Sequence, residues 1–319
     1  MRYGSGIASE PDARTWRFGI VAAEPAPTRQ AWLDRVRGID ELGHDTLLLP
    51  DHFGLWPPFS PLVAAAAASD RLRFGVQVLN NELWNPALLA REAAAVDTLT
   101  GGRLELGFGA GHAQAEFEAV GIAYDSPSRR VARLQATLPV VRRLLAGEHV
   151  AADETVGLRN CSIGISPIQA PIPVMVGGNG DRLLAVAAQH ADIVGLVGFT
   201  SGTGQVHTEL SHFTWEGLAD RVAHVARHAG ARFAGLELSV LVQAVVVTDH
   251  RRKTAAELAA AHGHVPDVLL DSPFMMIGSA AHIAEHIQRL GAEHGVTYIT
   301  TFEANAAALA TASRRLSPR

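Results

Sequence analysis

Residues Thr46–Trp56 read TLLLPDHFGLW. An unbroken apolar run stops at Pro50 and gives way to the polar pair Asp51-His52. Continuous rather than alternating apolarity marks a strand covered on both faces, the habit of parallel sheets. VLVQAVVV over Val240–Val247 has the same character. Working outward, short β-rich runs recur at Trp16–Ala22, Thr46–Pro50, Arg73–Leu79, Arg103–Phe108, Pro173–Val176, Asp192–Val197, Leu236–Thr248 and Val296–Phe302. Segments of helical period separate them. Val131, Leu134, Leu138, Val141 and Leu145 form one apolar stripe; Trp215, Leu218, Val222 and Val225 form another, and Ile283, Ile287 and Leu290 a third. Pro86 stands where a first helical turn begins, and Gly101-Gly102 follow that helix. Eight alternating β and α units in about 300 residues predict a (β/α)8 TIM barrel rather than an open doubly wound sheet. Two stretches break the rhythm, Gly147–Ala170 and residues 199–214, and are expected to be insertions. Met1–Thr15 reads as a polar, flexible arm, leaving 16–319 as a single barrel domain.

Composition removes several chemistries from the 319-residue chain. Lys253 is the sole lysine, so there is no Walker A loop, and Schiff-base catalysis would rest on a residue inside a charged run. Cys161 is the sole cysteine, which excludes an intrachain disulfide, a thiolate zinc cage and a redox pair. A net charge of −5 with no basic helix face argues against nucleic acid. No apolar run approaches the roughly 20 residues that span a bilayer, and no secretory leader is visible, so the cytoplasm is the expected location.

In a barrel, chemistry gathers where strands end. Asp51, His52 and Trp56 stand at the end of the second strand, and a histidine beside a carboxylate suits proton transfer; a turn with a packed histidine is the competing explanation. The fourth strand ends LELGFGAGHAQAEF over Leu104–Phe117. Its Gly107, Gly109 and Gly111 permit close backbone approach, and His112 and Glu116 lie one helical turn apart. The spacing G-x-G-x-G is not the dinucleotide fingerprint, and a tight turn into a helix explains it nearly as well. After the fifth strand, Gly177, Gly178, Asn179 and Gly180 open a helix whose free N–H groups and dipole suit a phosphate. Among fifteen histidines, His282-Ile283-Ala284-Glu285-His286 matches a zinc-peptidase pattern. The buried stripe of that helix leaves both histidines at its sides, so zinc is not expected. His224 and His228, one turn apart, are expected to be solvated. Gly-x-Ser-x-Gly is absent, which removes the nucleophile-elbow hydrolases.

Four segments, LLLPDHF, FGVQVLNNELWNP, LTGGRLELGFGAG and PVMVGGNGDRLLAVAAQHADIVGL, together resemble the luciferase-like monooxygenase superfamily, and within it the branch that uses the deazaflavin coenzyme F420. The resemblance covers nearly all of the chain after Thr15. It implies a (β/α)8 barrel with an insertion, with Asp51 and His52 beside the deazaflavin ring and Trp56 at the substrate. It also implies a non-proline cis peptide at Gln77-Val78 supporting the ring, and the Gly177–Gly180 loop on the coenzyme's phosphodiester. Gly109 and Gly111 belong to the same expected coenzyme surface. His112 stands where sugar-phosphate dehydrogenases of the family carry a proton-donating glutamate. Those enzymes also hold the substrate phosphate partly through lysines, so glucose-6-phosphate fits this chain poorly.

The expected function is hydride transfer between F420 and a small organic substrate, with His52 and His112 as proton-transfer groups and Trp56 as a wall. Two alternatives stay open: an FMN-dependent monooxygenase using reduced flavin and oxygen, and a coenzyme-binding protein without turnover. A homodimer is the family-level expectation.

Overall fold

The structure, a computed structural model, describes residues 16–201, 208–210, 212–262 and 264–316. The expected N-terminal arm and part of the second insertion, residues 202–207 and 211, lie outside the described residues. Eight strands, β1 (Arg17–Val21), β2 (Thr46–Leu49), β3 (Arg73–Val76), β4 (Leu104–Gly109), β5 (Val174–Gly178), β6 (Ile193–Leu196), β7 (Glu237–Val242) and β8 (Val296–Phe302), pair in parallel in that order. The ring closes where β8 meets β1, with Thr301 opposite Ile20. β3 meets β4 through Phe74 opposite Leu104; beyond a break at Gln77-Val78 the ladder resumes with Leu79 opposite Phe108. All four residues of β2 and all six of β4 are buried, as their continuous apolar runs predict.

A helix follows each strand: α1 (Arg29–Glu41), α2 (Phe59–Ala66), α3 (Pro86–Leu99), α4 (Pro127–Leu145), α5 (Asp181–His190), α6 (Trp215–Ala229), α7 (Ala280–His294) and α8 (Ala306–Ser313). Pro86 opens α3 behind an Asn85 cap, and Gly101 and Gly102 take the left-handed conformation after it. Leu134, Leu138, Val141 and Leu145 of α4 are buried, as are Ile283, Ile287 and Leu290 of α7.

Two expectations need correction. The run Leu236–Thr248 is not one strand. β7 stops at Val242, and Ala244–Val247 pairs with Met275–Gly278 in a separate two-stranded sheet outside the barrel. The turn at Gln243, whose N–H donates to the Phe274 carbonyl, redirects the chain. The first insertion is also more regular than its composition predicts, since Val150–Asp153 and Leu158–Cys161 form an antiparallel pair.

The barrel interior is layered. At the strand starts, Arg17, Arg73, Glu105 and Glu237 form a charged plug, with Glu105 3% exposed and bonded to both arginines. Above it Val21, Leu48, Met175, Ile193 and Tyr298 fill the centre, and Val78 and Leu241 pack on them. The plug occupies the end of the barrel at which the strands begin.

Candidate active site

Val78 lies just past the end of β3, toward the opposite end of the barrel. The Gln77–Val78 peptide is cis. Gln77 keeps its place through its N–H on the Leu49 carbonyl and its Nε2 on Thr300 Oγ1, 2.9 and 3.1 Å. Three glycines lie against the Val78 side chain, although a Cβ on Gly107 would first run into the Val76 carbonyl oxygen. A Cβ on Gly107, Gly109 or Gly177 would lie 3.3, 2.6 or 3.2 Å from Val78, too close for at least Gly109. Gly109 therefore has a packing reason to be glycine that needs no ligand. So has Gly111, at φ +74°, where a Cβ would run into Asn80 and Phe117.

The end of β2 supplies the walls. Asp51 Oδ2 accepts from Trp84 Nε1 at 2.8 Å and from the Asn80 N–H at 3.1 Å. Burial pushes its carboxyl above the ordinary range, and those two donors partly offset the rise. His52 Nδ1 lies 2.8 Å from Glu116 Oε1. The His112 ring meets the His52 ring edge-on, centroids 5.3 Å apart. Desolvation, then the charge of His52, holds the His112 imidazole below its ordinary value and so favours its neutral form. Trp56 packs edge-on against Trp32 of α1, centroids 5.6 Å apart. The β4 loop has its own scaffold. Phe117 is fully buried and meets Tyr124, whose hydroxyl donates to the His112 carbonyl. Arg130 of α4 lies over the Tyr124 ring and donates to the Ala110 carbonyl.

At the end of β5, Gly180 stands as the cap residue of α5 without any side-chain cap. The first N–H groups of α5 therefore have no capping side chain, which suits an anion. Asn179 is buried, its Nδ2 3.0 Å from His212 Nδ1. Arg221 of α6 donates to the Asn179 carbonyl and bonds the carboxylates of Asp181 and Asp220. Its hydrogen bond holds Asp181 below the ordinary carboxylate range. His224, expected to be solvated, is instead 8% exposed, with Nε2 2.9 Å from the Asp181 carbonyl. The helix period alone did not show that α5 packs on that face of α6.

Residues expected at the site thus gather at one end of the barrel, around the ends of β2, β3, β4 and β5. The zinc-like motif lies elsewhere. His286 packs on Trp215, with Nε2 3.2 Å from the Pro273 carbonyl. Among the described residues no group of three or more His, Cys, Asp or Glu is arranged to hold a metal. Sequence reasoning missed the role of Glu116. Its one-turn spacing pointed to His112, whereas its carboxylate bonds His52, which comes from a different βα unit. Trp84 and Asn80 were missed for the same reason, since their partner Asp51 lies about thirty residues earlier.

The model of the luciferase-like monooxygenase family matches residues 15–298. The chain is 28% identical over 158 residues to a 5,10-methylenetetrahydromethanopterin reductase of Archaeoglobus fulgidus, covering 49% of this chain and 46% of that protein. It is 29% identical over 230 residues to an F420-dependent glucose-6-phosphate dehydrogenase of Beutenbergia cavernae, covering 68% and 64%. The matched segments thus take in roughly half to two thirds of these relatives' lengths. The solved structure of an F420-dependent secondary alcohol dehydrogenase in complex with an F420-acetone adduct superposes with a TM-score of 0.73 over 93% of this chain and 97% of that one. At 17% identity that likeness speaks for the fold.

Proposed function

The chain belongs to the luciferase-like monooxygenase family, and from that premise we propose that it is an F420-dependent oxidoreductase acting on a small organic substrate. The observation that carries this reading is the placement of the half-buried Val78 against Gly107, Gly109 and Gly177, among the strand ends that also bear His52 and His112. The residues present fit the coenzyme. Gln77 Oε1 is buried without a hydrogen-bond partner among the described residues, close to where a heterocycle edge would rest. The N–H groups at Gly177–Gly180 and the start of α5 would hold the phosphodiester. Bound there, the deazaflavin would supply a carbon centre that accepts or donates a hydride.

The protein's part is positioning and proton management. Val78 would pack against the bound ring and help to hold it beside the substrate. His52, whose side chain is 36% exposed, holds or moves a proton at Nε2, and Trp56 bounds the substrate. His112, kept neutral, is a second hydrogen-bonding group at the lip. Gly109 and Gly111 act at one remove, by admitting Val78 and turning the β4 loop. A lysine-held phosphate is not on offer: Lys253 sits on helix Arg251–His262 with its side chain 76% exposed and Glu257 beside it. We therefore read the substrate as something other than glucose-6-phosphate. The relatives' named coenzyme favours F420 over FMN.

Titrating the pure protein with F420 and with FMN tests the reading. F420 is expected to bind; tight FMN binding with none of the deazaflavin would instead make the protein an FMN-dependent monooxygenase. Unchanged turnover after H52A and W56A would leave only a coenzyme-binding protein. A homodimer in the cytoplasm belongs to the same proposal. Leu88 and Leu99, 56% and 63% exposed, lie on one face of α3 and offer apolar surface for a second copy. Among the described residues no helix is long and apolar enough to cross a membrane. Sedimentation analysis decides the oligomeric state.

A further inference from the structure

We propose that Glu116 is the positioning residue of this site: it fixes the His52 imidazole with Nδ1–H on its carboxylate, leaving Nε2 as the acceptor. The catalytic use of that acceptor rests on the function proposed above; the placement itself does not.

The contact is 2.8 Å between His52 Nδ1 and Glu116 Oε1, across 64 residues of chain. The Glu116 side chain is only 16% exposed, and its Oε2 is buried with no hydrogen-bond partner among the described residues. An unpartnered buried carboxylate oxygen is costly to keep. The short helix Gln114–Ala119 that carries Glu116 does not need the charge for its own packing, since Phe117 anchors it against Gly111 and Tyr124. The carboxylate is placed for the imidazole.

A neutral imidazole whose one nitrogen is held as a donor must present the other as an acceptor. The remaining charged groups around the ring do not compete for Nδ1. Asp51, the preceding residue, has its Oδ2 engaged by Trp84 and Asn80. His112 is held toward its neutral form, and Arg130 acts on His112 from α4. When a substrate hydroxyl gives its proton to Nε2, the O–H bond breaks and an N–H bond forms. The ring then carries a positive charge, which the Glu116 carboxylate neutralises. Run in reverse, the pair returns the proton to a developing alkoxide.

The test reads the tautomer directly, in coenzyme-free protein. Ring-nitrogen correlation spectra of 15N-labelled histidine show which nitrogen bears hydrogen, and the His52 signals are those missing from H52N. Near neutral pH the parent is expected to show the Nδ1–H tautomer. Glu116→Gln, which keeps an acceptor, should retain it. Glu116→Leu should invert the population toward Nε2–H, and Glu116→Asp should restore part of the parental signal. An Nε2–H tautomer in the parent, or a folded Glu116→Leu with the parental population, overturns the proposal. Should Glu116→Leu not fold, the parent spectrum still decides. Should F420 not bind, the proposed function falls while the tautomer measurement keeps its meaning.

Discussion

The Trp84 indole donates to Asp51 Oδ2 across 2.8 Å, and the same oxygen accepts from the Asn80 N–H. One carboxylate oxygen thus ties the end of β2 to the chain just beyond the Val78 bulge. Asp51 is the clamp that holds Val78 and the His52 wall in register. Asp51→Ala removes the acceptor from two donors at once and should cost about 1–3 kcal/mol of stability, read as a lowered thermal midpoint, and should weaken F420 binding. Asp51→Asn keeps an acceptor and should do less. Equal losses in the two variants would refute the clamp.

Gly109 tests the placement of Val78. A Cβ there would sit 2.6 Å from Val78 Cγ2, and overpacking of this kind costs about 1–3 kcal/mol. Gly109→Ala should therefore lower both the melting temperature and F420 affinity. Restored affinity in the double variant Gly109→Ala/Val78→Ala would show that Val78 is what the new methyl displaces.

Gly180 tests the phosphate end with the opposite sign. Nothing lies within 4 Å of a Cβ built there, and the residue caps α5 without a side chain. Gly180→Ser adds a capping oxygen and should stabilise the coenzyme-free protein by a few tenths of a kcal/mol, roughly the Ser–Gly difference at a cap. It should weaken F420 binding, because the new oxygen competes for the N–H groups proposed to hold phosphate. A variant that binds F420 as tightly as the parent would remove α5 from the coenzyme site.

Glu105 tests the separation of stability from function. It is bonded to Arg17 and to Arg73, the latter at 2.5 Å, at the end of the barrel where the strands begin. Glu105→Ala leaves Arg73 without its carboxylate and Arg17 with that of Glu237 alone, and should cost about 1–3 kcal/mol, measured by urea denaturation. Protein that remains folded should bind F420 as the parent does.

His286 gives the protein an acid limit. Burial pushes its imidazole down to about 4 from 6.5, partly opposed by the Pro273 carbonyl. The unfolded chain therefore takes up a proton at this residue before the folded one does. The linked stability is present above pH 6.5 and is lost as pH falls toward 4, a swing of roughly 3 kcal/mol at 1.36 kcal/mol per unit. His286→Phe should flatten the dependence of the melting temperature on pH across that window.

The barrel was legible because its signals are local. Apolar runs such as Thr46–Leu49 follow from burial on two faces, and the stripes of α4 and α7 from burial on one. At Gln243 no such signal exists, since the apolar run continues through it while the backbone leaves the barrel. At the site, His52, His112 and the Gly177–Gly180 loop were visible as residue types at strand ends. Their partners were not. His224 was expected in solvent because the helix period of α6 alone does not say that α5 covers it.

By itself the sequence determined the alternation of strand and helix, the gathering of the candidate residues at strand ends, and the family the chain resembles. Each of these depends on neighbours a few residues apart. The tertiary structure alone decided that Glu116 serves His52 rather than His112, that Asp51 serves Trp84 and Asn80, and that Gly109 and Gly177, from two strands, make room for one valine. Those contacts are set by the closure of the barrel, which brings residues from separate βα units within hydrogen-bond distance, and no spacing along the chain encodes them.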